Sequence, residues 1–283
     1  MLSYQHEYHA GNHADVLKHC CLVQVMESLC KKEKPFTVID IHAGAGVFSL
    51  GDERIAKTGE AERGILLLCE YARSHPVHET VSQYLLRERP YIDAGRYAGS
   101  PELVRLFLRQ GDSHHVVEKH PAAFSSLKNQ VMFPVKTPDG IFRAQAKTIV
   151  HNADSYLTLN ALVPPQIKRG LVLIDPSYED TSDYHAVSDA VRMVHKKWNT
   201  AIIAVWYPLL ERRRHETAQL LTELEHCAKL GTIQAEYFKI EMEIKNTAQD
   251  SFNLNGSGMF ILNAPWKLDK TMEGCVECLS SVF

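Results

Sequence analysis

The apolar run Leu171 to Ile174 leads into Asp175, Pro176, Ser177 and Tyr178, so these four residues stand where a buried strand gives way to a turn. A carboxylate followed by a proline suits one specific problem, making an aromatic amino group nucleophilic. The lone pair of the exocyclic nitrogen of adenine is delocalised into the ring. A carboxylate and a backbone carbonyl that accept its two N–H bonds hold the nitrogen, favour a pyramidal geometry and aim the lone pair at a methyl donor. Asp175 and the Pro176 carbonyl are the natural acceptors, Asp175 can take the leaving proton, and Tyr178 can stack on the base. A base that enters such a crevice must be unpaired or flipped out. The plainer alternative is a proline-containing turn without chemistry. A similar stretch, Asn263 to Trp266, follows the last predicted strand and reads as a structural turn.

The methyl donor needs its own site. Phe36 to Ile41 predicts a buried strand, and His42 to Gly46 a turn in which Gly44 and Gly46 let the backbone approach a ligand. The window is not G-x-G-x-x-G, because its sixth residue from Gly44 is Ser49. A second strand ends in Glu118, where a carboxylate can accept both hydroxyls of a ribose. After a third strand comes Asp154, an acceptor for an adenine amino group of a cofactor. A nicotinamide oxidoreductase would share the first two features. The Asp175 motif is what selects S-adenosylmethionine.

Seven predicted strands with helical crossovers make an α/β, doubly wound sheet: 36–41, 115–118, 148–151, 171–175, 201–206, 234–241 and 258–263. Predicted helices cover 14–32, 101–110, 121–130, 183–197 and 212–230. Asp40 and Glu118 stand much further apart than the roughly 30 residues of a βαβ step. Residues 50–98 therefore read as an inserted helical subdomain with helices at 60–72 and 77–87, inside one methyltransferase domain spanning 1–283. It closes at Gly99-Ser100-Pro101-Glu102, a helix start with Ser100 as N-cap.

Composition sets outer bounds. The apolar share is 45% and the charged share 23%, as in globular proteins. The polar N-terminal residues do not resemble a signal peptide, and Ala201 to Leu210 is too short for a span of about 20 residues, so no membrane role is expected. Seven scattered cysteines suit a reducing, cytoplasmic setting. A net charge of −3 leaves nucleic-acid binding to local groups such as Arg212 to Arg214. His9 and His13 are four apart but lack a third ligand, so no metal is expected.

The chain resembles the RlmJ family of 23S ribosomal RNA adenine-N6 methyltransferases. The resemblance rests on Met1 to Tyr4, His9 to His19, His42 to Gly46, Gly99 to Pro101, Trp206 to Pro208 and Ser257 to Met259, beside Asp175 to Tyr178. It implies a Rossmann-like, class I S-adenosylmethionine-dependent fold with an inserted helical subdomain, acting as a monomer on 23S ribosomal RNA. His19, His42, Ser100, Glu118 and Asp154 match cofactor-contacting positions, Asp175 the catalytic acid/base, and Tyr4 a position that contacts RNA. Lys18 lies in the same N-terminal motif and could meet the cofactor carboxylate. The departure is Ser177, where the family usually has a second proline. A DNA adenine methyltransferase, a protein glutamine methyltransferase and a non-catalytic RNA-binding relative remain the rival readings.

Overall fold

The computed structural model describes residues 9–53, 58–133, 147–229, 235–244 and 254–283. Helix α1 (His13–Cys30) precedes β1 (Thr37–Asp40). A short pair, β2 (Val47–Ser49) and β3 (Arg96–Ala98), brackets a π-helical turn (Glu62–Leu66), α2 (Leu67–Ser74) and α3 (Glu79–Ile92). There follow α4 (Ser100–Arg105), β4 (Ser113–Val117), α5 (Pro121–Gln130), β5 (Thr148–His151), α6 (Ser155–Leu162) and β6 (Gly170–Ile174). The chain continues through α7 (Ser182–Lys197), β7 (Ile202–Pro208), α8 (Arg214–Lys229), β8 (Tyr237–Glu243), β9 (Gly256–Leu262) and α9 (Leu268–Ser280).

Seven strands form one sheet in the order β5-β4-β1-β6-β7-β9-β8. The first five are parallel, and β9 runs antiparallel to both β7 and β8. Alternation explains why both faces are covered. In β6, Leu171 and Leu173 join the core shared with α1 and α9, while Val172 and Ile174 join the core shared with α7 and α8. The strand order reverses beside β1, so the carboxyl ends of β1, β4 and β6 open one crevice.

Several elements differ from the sequence expectations. β2 and β3 are three residues each, too short for a periodicity to register, yet their antiparallel pairing closes the segment between them. α4 ends at Arg105 because Asp112 takes the N–H groups of Arg109 and Phe36 and turns the chain into β4. Ser100 is not an N-cap; Gly99 precedes the helix, and the Ser100 hydroxyl donates instead to Asp40 Oδ2 at 2.7 Å. α6 and α9 are helices additional to those the sequence pattern predicts. Asn263 is a turn residue, with φ +55° and its side-chain amide on the carbonyls of Asn199 and Ala201. Among the described residues no helix is long and apolar enough to cross a membrane.

Candidate active site

The crevice at the strand ends is a cavity of about 1140 Å³, at or beyond the upper end of the roughly 300–1,000 Å³ usual for ligand pockets. One half is built by the β1 and β4 loops. Gly44 turns at φ +61° and sends its N–H to Glu118 Oε2 at 2.9 Å. His120 N–H meets Glu118 Oε1 at 2.6 Å. The Glu118 carboxylate is thus fixed by two backbone donors, and a carboxylate offers about four acceptor sites. Gly44 has only the Phe48 ring near the place of a side chain, so the loop backbone faces the cavity. Gly46 does not line the cavity; a side chain there would meet Leu127, and its carbonyl accepts the Gly99 N–H.

His42, Ser100 and Asp154 also line this half. His42 Nδ1 accepts the N–H of Asp175 at 3.1 Å. Burial lowers the His42 imidazole to about 3, so the ring is neutral and carries its proton on Nε2. Asp154 is the N-cap of α6, with Oδ1 on the N–H groups of Tyr156 and Leu157, and Lys119 pairs with Oδ2 at 3.2 Å. The signal for that cap was present in the sequence, an Asp before Ser-Tyr-Leu. Asp40 is a carboxylate that sequence reasoning passed over. It is fully buried, holds Ser100 and the His42 N–H, and burial pushes it up to about 6.

The other half contains Asp175, Pro176, Ser177, Trp206, Leu210 and Phe283. Lys18, 4% exposed, lies between Asp15 Oδ1 and Asp175 Oδ2, each at 2.6 Å. Burial opposes its charge, but the two carboxylates prevail and raise the ammonium above its usual range. Lys18 therefore orients Asp175, and it also lines the cavity. Tyr178 packs in the core behind the turn. At φ +52° it turns inward, is 1% exposed, donates to the Trp206 carbonyl at 2.8 Å and does not line the cavity. Trp206 occupies the wall in its place. His19 lines the cavity and its Nδ1 is 2.8 Å from the Tyr97 hydroxyl. Tyr4 lies outside the described residues.

His9 Nδ1 is 2.9 Å from Glu60, and His13 meets the Phe283 ring edge-on. Among the described residues no group of three or more His, Cys, Asp or Glu could hold a metal ion. The donor set of the first half does fit S-adenosylmethionine. A fixed carboxylate able to accept ribose hydroxyls lines the cavity beside a loop whose glycine leaves its backbone open.

Residues 33–283 match the family model described as Ribosomal RNA large subunit methyltransferase D, RlmJ. The ribosomal RNA large subunit methyltransferase J of Escherichia coli is 35% identical, over 99% of this chain and 94% of that protein. Its Haemophilus influenzae counterpart is 34% identical, over 100% of this chain and 94% of that protein. A crystal structure from Legionella pneumophila has a TM-score of 0.81 and 28% identity, covering 97% of this chain and 94% of that one. A carboxylate held at the end of β6, a nucleotide-type crevice and these full-length matches converge: the chain belongs to the RlmJ family of ribosomal RNA large subunit methyltransferases, and its fold is the Rossmann-like fold of that class.

Proposed function

We propose that this protein transfers a methyl group from S-adenosylmethionine to the N6 amino group of an adenine in 23S ribosomal RNA, as a cytoplasmic monomer. The observation that carries the reading is the Asp175 carboxylate, fixed by Lys18 in the same cavity as the Gly44–Glu118 pair. S-adenosylmethionine, when bound, supplies an electrophilic methyl group on a sulfonium. Glu118 accepts the ribose hydroxyls. Lys18, His19, His42, Gly44, Ser100 and Asp154 border the place where the cofactor would lie. Asp175 and the Pro176 carbonyl accept the two N–H bonds of the target amino group, which directs its lone pair. Asp175 then takes the proton that leaves the nitrogen. Trp206, on the same wall, offers the aromatic surface that Tyr178 does not. In this reading residues 50–98 are an inserted subdomain of a single methyltransferase domain, and Tyr4 contacts the RNA.

The test supplies purified protein with cofactor carrying a labelled methyl group and, separately, unmethylated large-subunit RNA, adenine-containing DNA and protein. Label in RNA, mapped by mass spectrometry to N6 of one adenine, is the expected result. Label in DNA or protein alone, or at another position of the base, overturns it.

A further inference from the structure

A series of hydrogen bonds runs from the segment between β2 and β3 to the catalytic carboxylate. Glu60 Oε2 accepts from Asn12 Nδ2 at 2.9 Å. Asn12 is the N-cap of α1, and its Oδ1 accepts the Asp15 N–H at 2.9 Å. Asp15 Oδ1 accepts from Lys18 Nζ at 2.6 Å, and Lys18 Nζ donates to Asp175 Oδ2 at 2.6 Å. Asn12, Asp15 and Lys18 are all buried.

A second tie runs through the backbone. Asp15 Oδ2 accepts the Gly11 N–H at 2.9 Å, and the Gly11 carbonyl accepts the Ile65 N–H at 2.8 Å. The crossing is close: a Cβ on Gly64 would lie 2.1 Å from the Gly11 oxygen. Gly64 breaks helical geometry at φ −110°, ψ −110° inside the π-helical turn, a kind of local bulge that is frequent at functional sites. Glu60 and the backbone at Ile65 thus grip the chain immediately before α1 from one side, and Asp15 converts that grip into a direction for Lys18.

We propose that Glu60 and Asp15 are positioning residues for methyl transfer, setting the place of the Asp175 carboxylate through Asn12 and Lys18. The inference rests on the reading of Asp175 as the group that meets the substrate amino nitrogen. On this view the inserted segment, whose Glu60, Arg63 and Leu67 line the same cavity as Asp175, is part of the catalytic apparatus. A buried ammonium with two carboxylates has one low-energy place; with one carboxylate removed it shifts toward the other. A displacement of about 1 Å at the reacting groups is enough for a loss of about 100-fold in rate.

The experiment compares full-length wild type with Asp15→Asn, Glu60→Ala, Glu60→Gln and Asp175→Asn. It measures kcat and KM on unmethylated large-subunit RNA, the Kd for S-adenosylmethionine, and the Lys18 ammonium resonance of the cofactor-free protein by NMR. Asp15→Asn is expected to lower kcat by about 100-fold and Glu60→Ala by about tenfold, each with KM and Kd within about threefold of wild type. Glu60→Gln, which keeps an acceptor for Asn12, restores kcat. The Lys18 resonance moves or is lost in the first two variants and returns in the third. Should Asp15→Asn fail to fold, the less buried Glu60 pair decides alone. A wild-type kcat and Lys18 resonance in Glu60→Ala, or a change confined to KM, overturns the inference. An active Asp175→Asn brings down the reading of the site itself; an inactive one beside wild-type Asp15→Asn and Glu60→Ala brings down this inference only.

Discussion

Glu118 and Asp175 follow two strands of the same sheet, β4 and β6, and open on the same cavity, yet they are held in different ways. Glu118 is fixed by backbone N–H groups from its own loop and the neighbouring one, Gly44 and His120. Asp175 is fixed by the side chain of Lys18, whose other partner is Asp15. Backbone donors at a loop are rigid and survive most substitutions nearby. A side-chain series spanning α1 and β6 can be lost by changing one residue. The cofactor half is therefore held by backbone groups at the strand ends, whereas the reactive half depends on a series of side chains.

The largest expected effect strikes the reactive half. Asp175→Asn keeps the shape but removes the proton acceptor, so turnover should fall by about 100-fold or more, the usual scale for a general base. Calorimetry on the same sample should return a cofactor Kd within a few-fold of wild type. Comparable losses of binding and turnover would mean the two halves are not separable.

Glu118→Ala probes the other side. Hydrogen bonds to a charged acceptor are worth about 1.5–3 kcal/mol each, so the cofactor Kd should rise by roughly 10- to 150-fold. Turnover at saturating cofactor should stay near wild type. An unchanged Kd would make Glu118 only the brace of the Gly44 loop.

A third outcome concerns pH. Burial holds the His114 and His42 imidazoles near 3, against 6.5 for an ordinary histidine. Between those values the unfolded chain binds more protons than the folded one, so stability present above pH 6.5 is lost as pH falls. By pH 5 fully buried His114 accounts for a loss of about 2 kcal/mol, and His42, which lines the cavity, for less. His114→Asn can keep the contact that Nδ1 makes with Thr148. Urea unfolding of this variant at pH 7 and pH 5 should display a gap smaller by about 2 kcal/mol than in wild type. An equal gap would place the acid sensitivity elsewhere, in the half-buried His13 imidazole, held at about 4, among other candidates.

The same division governs what the sequence made legible. The succession of the parallel strands along the chain, and Gly44, Glu118, Asp154 and Asp175 after them, follow from short-range patterns of apolar run, then turn, then polar residue. Lys18 stands out by its motif, but nothing local says that it also reaches a carboxylate 157 positions away. Tyr178 is a related case: its identity suits stacking on a base, whereas its φ of +52° and its ring contacts with Tyr184 and Trp206 are not legible in the motif. Glu60 and Asp15 left no trace beyond being acidic, since their meaning lies in a crossing of two backbones at Gly11 and Gly64.

The smallest effect is expected at Ser177, inside the catalytic turn, where the comparison is tested at its boundary. Pro176 precedes it with its carbonyl in place, and Asp175 is set by Lys18 and His42, neither of which depends on residue 177. A proline ring at 177 would fix its own φ and bias Pro176 toward an extended conformation. Where the native angles suit proline, that restraint is worth roughly 0.4–1 kcal/mol. Felt entirely in the transition state, it would change the rate by about two- to fivefold. The left-handed turn comes one residue later, at Tyr178, and its hydroxyl is anchored on the Trp206 carbonyl, so the substitution leaves the anchor of the turn intact. Ser177→Pro should therefore keep turnover on RNA within about fivefold of wild type in either direction. Single-turnover kinetics with saturating cofactor is the measurement. A much larger fall would assign the Ser177 N–H or hydroxyl a contact with substrate, and the reactive half would then include a local element of its own.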